Sequence, residues 1–166
     1  MLYIFDSNVL IEAKNRYYGF DFVPGFWDFI EREAKKATLK SNDFVLEELQ
    51  IYDDELKAWA TEKQDLCFDI SSDTKEIQEY YKEIVNYIMK NEKYRTSEKE
   101  SFLKKADPWL IASAKYFEAI LVTQEVKVPN DSSKIKIPNI AEHFKVKTIN
   151  TFEMIRDLGG KFGLIE

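Results

Sequence analysis

Leu2-Tyr3-Ile4-Phe5 runs straight into Asp6, and that junction constrains the chain more than any other stretch. The four residues before the acid have no polar face, which predicts a short strand buried on both sides, as in a parallel sheet. Ser7 then opens a second apolar run, with Val9, Leu10 and Ala13 near helical spacing and Ser7 as the expected N-cap. A strand followed at once by a helix puts Asp6 at the carboxyl end of a central strand, where open α/β sheets bind ligands. A carboxylate buried there without a partner is costly. Asp6 therefore either satisfies backbone groups in the strand–helix turn or belongs to a site.

Strand and helix signals alternate along the rest of the chain. An aromatic loop, Tyr17 to Val23, ends at Pro24 and leads into a helix over 25–37. Thr38 to Lys40 reads as a second strand, Ser41-Asn42-Asp43 as a helix start, and Phe44 to Tyr52 as the helix. A further helix covers 54–63, Leu66 to Ile70 reads as a third strand, and Ser71-Ser72-Asp73 caps a long helix over 74–90. Residues 90–105 are polar, with six basic side chains against three acidic ones. Asp107 as N-cap and Pro108 at N1 open the next helix, which runs to Phe117. Ala119 to Thr123 is a buried-strand run, and 139–143 is a helical turn. Val146 to Ile149 is the last strand, followed by a Thr151-capped helix that ends at Gly159-Gly160. The alternation predicts one α/β domain over 1–166, a parallel sheet with helices on both faces.

A chain of 166 residues can bury about 70 % of its unfolded surface, so a core is easily built. Its single cysteine, Cys67, excludes an internal disulfide and fits a reducing, cytoplasmic setting. The sequence has no basic segment leading into a long apolar run, so neither a signal peptide nor a membrane span is expected. The net charge of −6 argues against tight nucleic-acid binding through whole-surface charge. It leaves room for an acidic site neutralised by metal ions.

Four acids sit where strands end or helices begin: Asp6, Glu48, Asp107 and Glu125. Carboxylates converging on one cleft make an oxygen-ligand site suited to Mg²⁺ or Mn²⁺. Two such ions about 4 Å apart can activate water for phosphodiester hydrolysis. Glu48 is preferred to Glu47 by geometry: at about 100° per residue, Val45, Leu49, Tyr52 and Leu56 form one stripe that Glu48 borders, while Glu47 lies opposite. Each acid also has a plain structural role open to it, and Asp107 in particular is a good N-cap whether or not it binds metal. His143, without a partner motif, reads as structural or surface, and Cys67 as core. The aromatics of 17–29 read mostly as packing.

These residues resemble PIN domains. Asp6-Ser7-Asn8-Val9-Leu10-Ile11 is similar to the opening of that family, and Phe44 to Leu49 to its second acidic motif, where the glutamate before leucine is the ligand. Ala106-Asp107-Pro108-Trp109-Leu110-Ile111-Ala112 resembles the third motif, and Leu121-Val122-Thr123-Gln124-Glu125 the fourth, with Glu in place of the usual Asp. The Asp-Pro-Trp form and that glutamate are similar to a prokaryotic PIN-like family of unknown function. The resemblance implies a three-layer α/β/α fold with sheet order 3-2-1-4-5. It also implies a Mg²⁺- or Mn²⁺-dependent ribonuclease, as in the toxins of toxin–antitoxin pairs, with Asp6, Glu48, Asp107 and Glu125 as metal ligands and catalytic acids. Asn8 and Thr123 would support the acids by hydrogen bonds. RNA is the implied substrate, and an antitoxin protein or a second copy the implied partner. Lys104, Lys105 and Lys127 are candidate phosphate contacts, beside Lys134, Lys136 and the aromatics Tyr94 and Phe102. The extra methylene of Glu125 can shift or remove a second metal site.

Two other readings compete. A PIN-like module can bind RNA or a protein without cutting. A haloacid-dehalogenase-type phosphatase would use Asp6 as nucleophile, but it needs an acid at position 8 and a late Gly-Asp-x-x-x-Asp motif, and the chain has neither.

Overall fold

The structure is a computed structural model that describes all residues, 1–166. Strand β1 (Tyr3–Phe5) is fully buried and hands over to helix α1 (Ser7–Glu12), which widens into a π-helical turn at Ala13–Tyr17. Helix α2 (Pro24–Lys35), strand β2 (Leu39–Lys40) and helix α3 (Asp43–Leu49) follow. Then come α4 (Glu55–Glu62), α5 (Gln64–Cys67), α6 (Lys75–Lys90) and α7 (Thr96–Lys104). The chain closes with α8 (Asp107–Tyr116), β3 (Ile120–Val122), α9 (Ile137–His143), β4 (Thr148–Ile149) and α10 (Thr151–Asp157). No helix is long and apolar enough to cross a membrane.

The sheet is all parallel, in the order β2-β1-β3-β4. The expected third strand, 66–70, is a correction: its first half is the short helix α5, and only Ile70 joins the sheet, through a lone parallel bridge to Asn42. Leu66 and Cys67 are turned into that helix by i→i−3 and i→i−4 bonds to Lys63, so their backbone is not free to extend. The bridge still lies beyond β2, so the order implied by the family resemblance holds, with its first strand worn down to one residue.

Helix α8 shows why a sequence can be helical without a clear polar face. Leu110, Ile111, Ala112, Ser113 and Ala114 are all buried, because α8 is packed between the sheet and α6. The small residues Ala112, Ser113 and Ala114 let the layers approach. Across the molecule, Phe20 stacks on Trp27 at 3.8 Å and Tyr18 on Phe26 at 4.6 Å, so most aromatics of the 17–29 stretch are packing residues. Tyr94 and Phe102 are core as well, which removes them as candidate substrate contacts.

Four helix starts differ from the sequence reading, that of α6 among them, whose N-cap is Thr74, beyond Ser71-Ser72-Asp73. Ser7, Asp107 and Thr151 do not cap; each is the first residue inside its helix. Asn150 caps α10 through a reciprocal capping box with Glu153. Ser7 and Asp107 are a hydroxyl and an acid released from capping, and both turn toward the same place.

Candidate active site

The register of the two central strands builds the site. Phe5 pairs with Val122, so Asp6 and Thr123 emerge side by side at the carboxyl ends of β1 and β3. The Asp6 N–H extends the ladder by one bond, to the Val122 carbonyl at 2.9 Å. Thr123 donates its hydroxyl to Asp6 Oδ2 at 3.2 Å and accepts the Glu125 N–H at 3.1 Å, which ties the fourth acid's backbone to the first acid.

Ser7 and Glu48 form the second connection. At the first helical position Ser7 points back toward the strand end, because helical side chains lean to the N-terminus. Its hydroxyl donates to Glu48 Oε2 at 2.6 Å and lies 3.3 Å from Asp6 Oδ1. One proton serves one acceptor, and the shorter contact takes it. The other Glu48 oxygen accepts the Ala106 N–H at 2.8 Å, one residue before Asp107. Glu48 therefore clamps α1, α3 and the start of α8, while Glu47 is exposed. Serine before an apolar run is an ordinary cap signal, so the sequence alone does not mark Ser7 as a partner of the acids. Replacing Ser7 by alanine should cost about 1–2 kcal/mol in urea unfolding, with Ser7→Thr within about 0.5 kcal/mol of the parent. Equal losses in both variants would mean that the hydroxyl is idle.

Asp6 and Asp107 are 1 % and 6 % exposed, and no hydrogen bond from the protein reaches the Asp107 carboxylate. Burial, then the charges of Glu125 and Glu48, push Asp6 up to about 6 against the pull of the Thr123 hydroxyl. Burial, then Asp6, Glu125 and Glu48, push Asp107 up to about 8, and only Lys105 offsets them. The four acids thus feel one another as a cluster with little counter-charge.

Glu125 reaches away from the cluster's centre: its Oε2 accepts the Ile137 N–H at 2.6 Å, at the start of α9. With Glu48 also engaged, no three acidic, histidine or cysteine side chains gather closely enough to hold a metal ion in this arrangement. The donor chemistry nonetheless fits Mg²⁺ or Mn²⁺, since every donor is a hard carboxylate oxygen and little protein counter-charge faces the cluster. The remaining candidates fall elsewhere. Asn8 is exposed and makes no bond to the acids; it lines an open cleft of about 500 Å³ with Glu12, Gln124, Glu125 and Lys136. Lys127 lines the same cleft but pairs with Glu142. Lys104 and Lys105 are exposed at the end of α7 and do not line it. His143 stacks on Tyr87 at 3.8 Å, and burial pushes the Cys67 thiol up to about 12, so neither joins the site.

Residues 3–162 match a family described as Domain of unknown function (DUF4411). No curated protein matches the chain. Among solved structures, a chain in the crystal structure of VapBC2 from Rickettsia felis, bound to a DNA fragment from their promoter, is similar at 18 % identity and a TM-score of 0.55. The likeness covers 90 % of this chain and 98 % of that one. It shows the fold, which is PIN-like: a parallel sheet between helical layers, with the acids at its carboxyl end.

Proposed function

We propose that this chain, which belongs to the DUF4411 family and has a PIN-like fold, is a Mg²⁺- or Mn²⁺-dependent ribonuclease acting at the carboxyl end of its sheet. The observation that supports this best is the pair Asp6 and Asp107, two buried carboxylates that repel each other and two more acids. Folding does not need them there, since Asp6 could be any residue that continues the ladder and Asp107 caps nothing. Strongly perturbed acids gathered at the ends of central strands mark a functional site.

In this reading Asp6, Glu48, Asp107 and Glu125 hold the ion. When bound, it supplies the Lewis acidity that activates water and stabilises the leaving oxygen. Thr123 and Ser7 orient the carboxylates and keep their oxygens from turning away. Hydrolysis joins the water oxygen to phosphorus and breaks the phosphorus–ribose oxygen bond, and the departing oxygen takes a proton. No side chain forms a covalent link to the substrate. The likeness to VapBC2, a complex bound to promoter DNA, supports a role as the toxin of such a pair, with an antitoxin protein as partner.

The test is a mixed pool of structured and single-stranded RNA incubated with Mn²⁺, with Mg²⁺ or with chelator. Cutting is expected with either ion and not with chelator. A folded protein that cuts with neither overturns the nuclease reading. It would favour a module that binds without cutting, to which the tied-down positions of Glu48 and Glu125 also lend support.

A further inference from the structure

We propose that Lys136 is the residue that holds a substrate phosphate in the cleft beside the acids, a role that rests on the ribonuclease reading above. The cleft of about 500 Å³ lies between α1, which contributes Asn8 and Glu12, and the segment that follows β3. Lys136 stands in its wall, half-buried and without an ion-pair partner, just before α9. The other lysine there, Lys127, has its ammonium 2.5 Å from Glu142. Both cleft carboxylates already accept hydrogen bonds, Glu12 from the Gln124 amide and Glu125 from the Ile137 N–H. Lys136 is therefore the cation in the cleft left free for an incoming anion.

The wall that carries it is built in advance. The Asn139 side chain grips Val128 twice, accepting its N–H at 3.0 Å and donating to its carbonyl at 2.8 Å. Glu98 accepts the Ile135 N–H at 3.1 Å, and Lys93 donates to the Asn130 carbonyl at 2.7 Å. The loop from 126 to 136 is thus pinned from α9, from α7 and from the turn before it. A side chain on a pinned loop loses less freedom on binding than one on a loose loop. Glu125, whose charge acts on Asp6 and Asp107, lines the cleft with Lys136, so a phosphate held by Lys136 lies beside the fourth acid.

The test measures cutting of a 5′-fluorescein-labelled, mixed-sequence RNA about 12 nucleotides long, a length that spans the cleft and its flanks. Lys136→Gln should raise KM about fivefold to tenfold with kcat within about twofold, and should lower the salt slope by about one. Lys136→Arg should restore KM, and Lys127→Gln should stay within about twofold of the parent. An unchanged KM in Lys136→Gln, or an equal rise in both Gln variants, overturns the assignment while leaving the nuclease reading intact. If the parent does not cut, the nuclease reading fails. Anisotropy of the same RNA then decides the subsite: weaker binding in Lys136→Gln alone supports it, and equal binding overturns it.

Discussion

Asp107→Asn should cut RNA at least about 10³-fold more slowly and yet unfold at a higher temperature than the parent in metal-free buffer at pH 8. The two effects have one cause. The folded protein holds the Asp107 carboxyl at about 8, against an ordinary value of 3.8. Between those values the folded state keeps a proton that the unfolded chain releases. Stability contributed by this group is whole below about 4, falls as pH rises, and is gone above about 8. Asparagine has nearly the same shape and never ionises, so it escapes that loss. The gain at pH 8 should be about 1–3 kcal/mol, or about 3–10 °C in Tm, and should vanish at pH 4. Calorimetric scans at the two pH values, with chelator present, read it directly. A variant less stable than the parent at pH 8 would show that the carboxylate helps hold the fold and would remove the argument for a cation site.

Mn²⁺ should raise the Tm of the parent far more at pH 8 than at pH 5.5. Asp6, held at about 6, and Asp107, at about 8, are both largely protonated at the lower pH, and a proton and a cation compete for the same oxygens. At about 100 times Kd the stabilisation is about 2.7 kcal/mol, which is about 5–10 °C for a chain of this size. Removing the ion with chelator should reverse the shift, and Asp6→Asn should abolish it. The same thermal shift at both pH values, or one retained in Asp6→Asn, would place the ion somewhere other than this cluster.

The parts of the site that could be read from sequence were those fixed by period and strand position. Asp6 followed from an apolar run meeting a helix, and Glu48 was placed in the cluster by the angle it makes with Val45 and Leu49. What could not be read was which atoms the loops spend on one another. Ser7 looked like a cap and is a bridge between acids. Asn8 was expected to brace the acids, but the first turn of α1 points it outward into the cleft. Glu125 lies near Asp6 in charge but gives an oxygen to the Ile137 amide, a contact 12 residues ahead that no local pattern announces. In the fold, Leu66 to Phe68 has strand composition but helical bonds, because the Lys63 and Gln64 carbonyls capture its amides, and only Ile70 is left to bond across to Ser41. Tyr94 and Phe102 lie in a charged stretch, and only the tertiary packing of the turn before α7 and of α7 itself buries them.

The worn-down outer strand limits how copies of this chain can meet. Beyond β2 the sheet has only the Ile70 bridge, and the Lys40 ammonium is turned across that margin to the Leu66 carbonyl and Asp69. At the far side β4 is two residues long and leads at once into α10. Neither margin presents a run of free amides and carbonyls on which another strand could zip. The sheet of this protein offers no edge on which a second copy could extend it strand by strand.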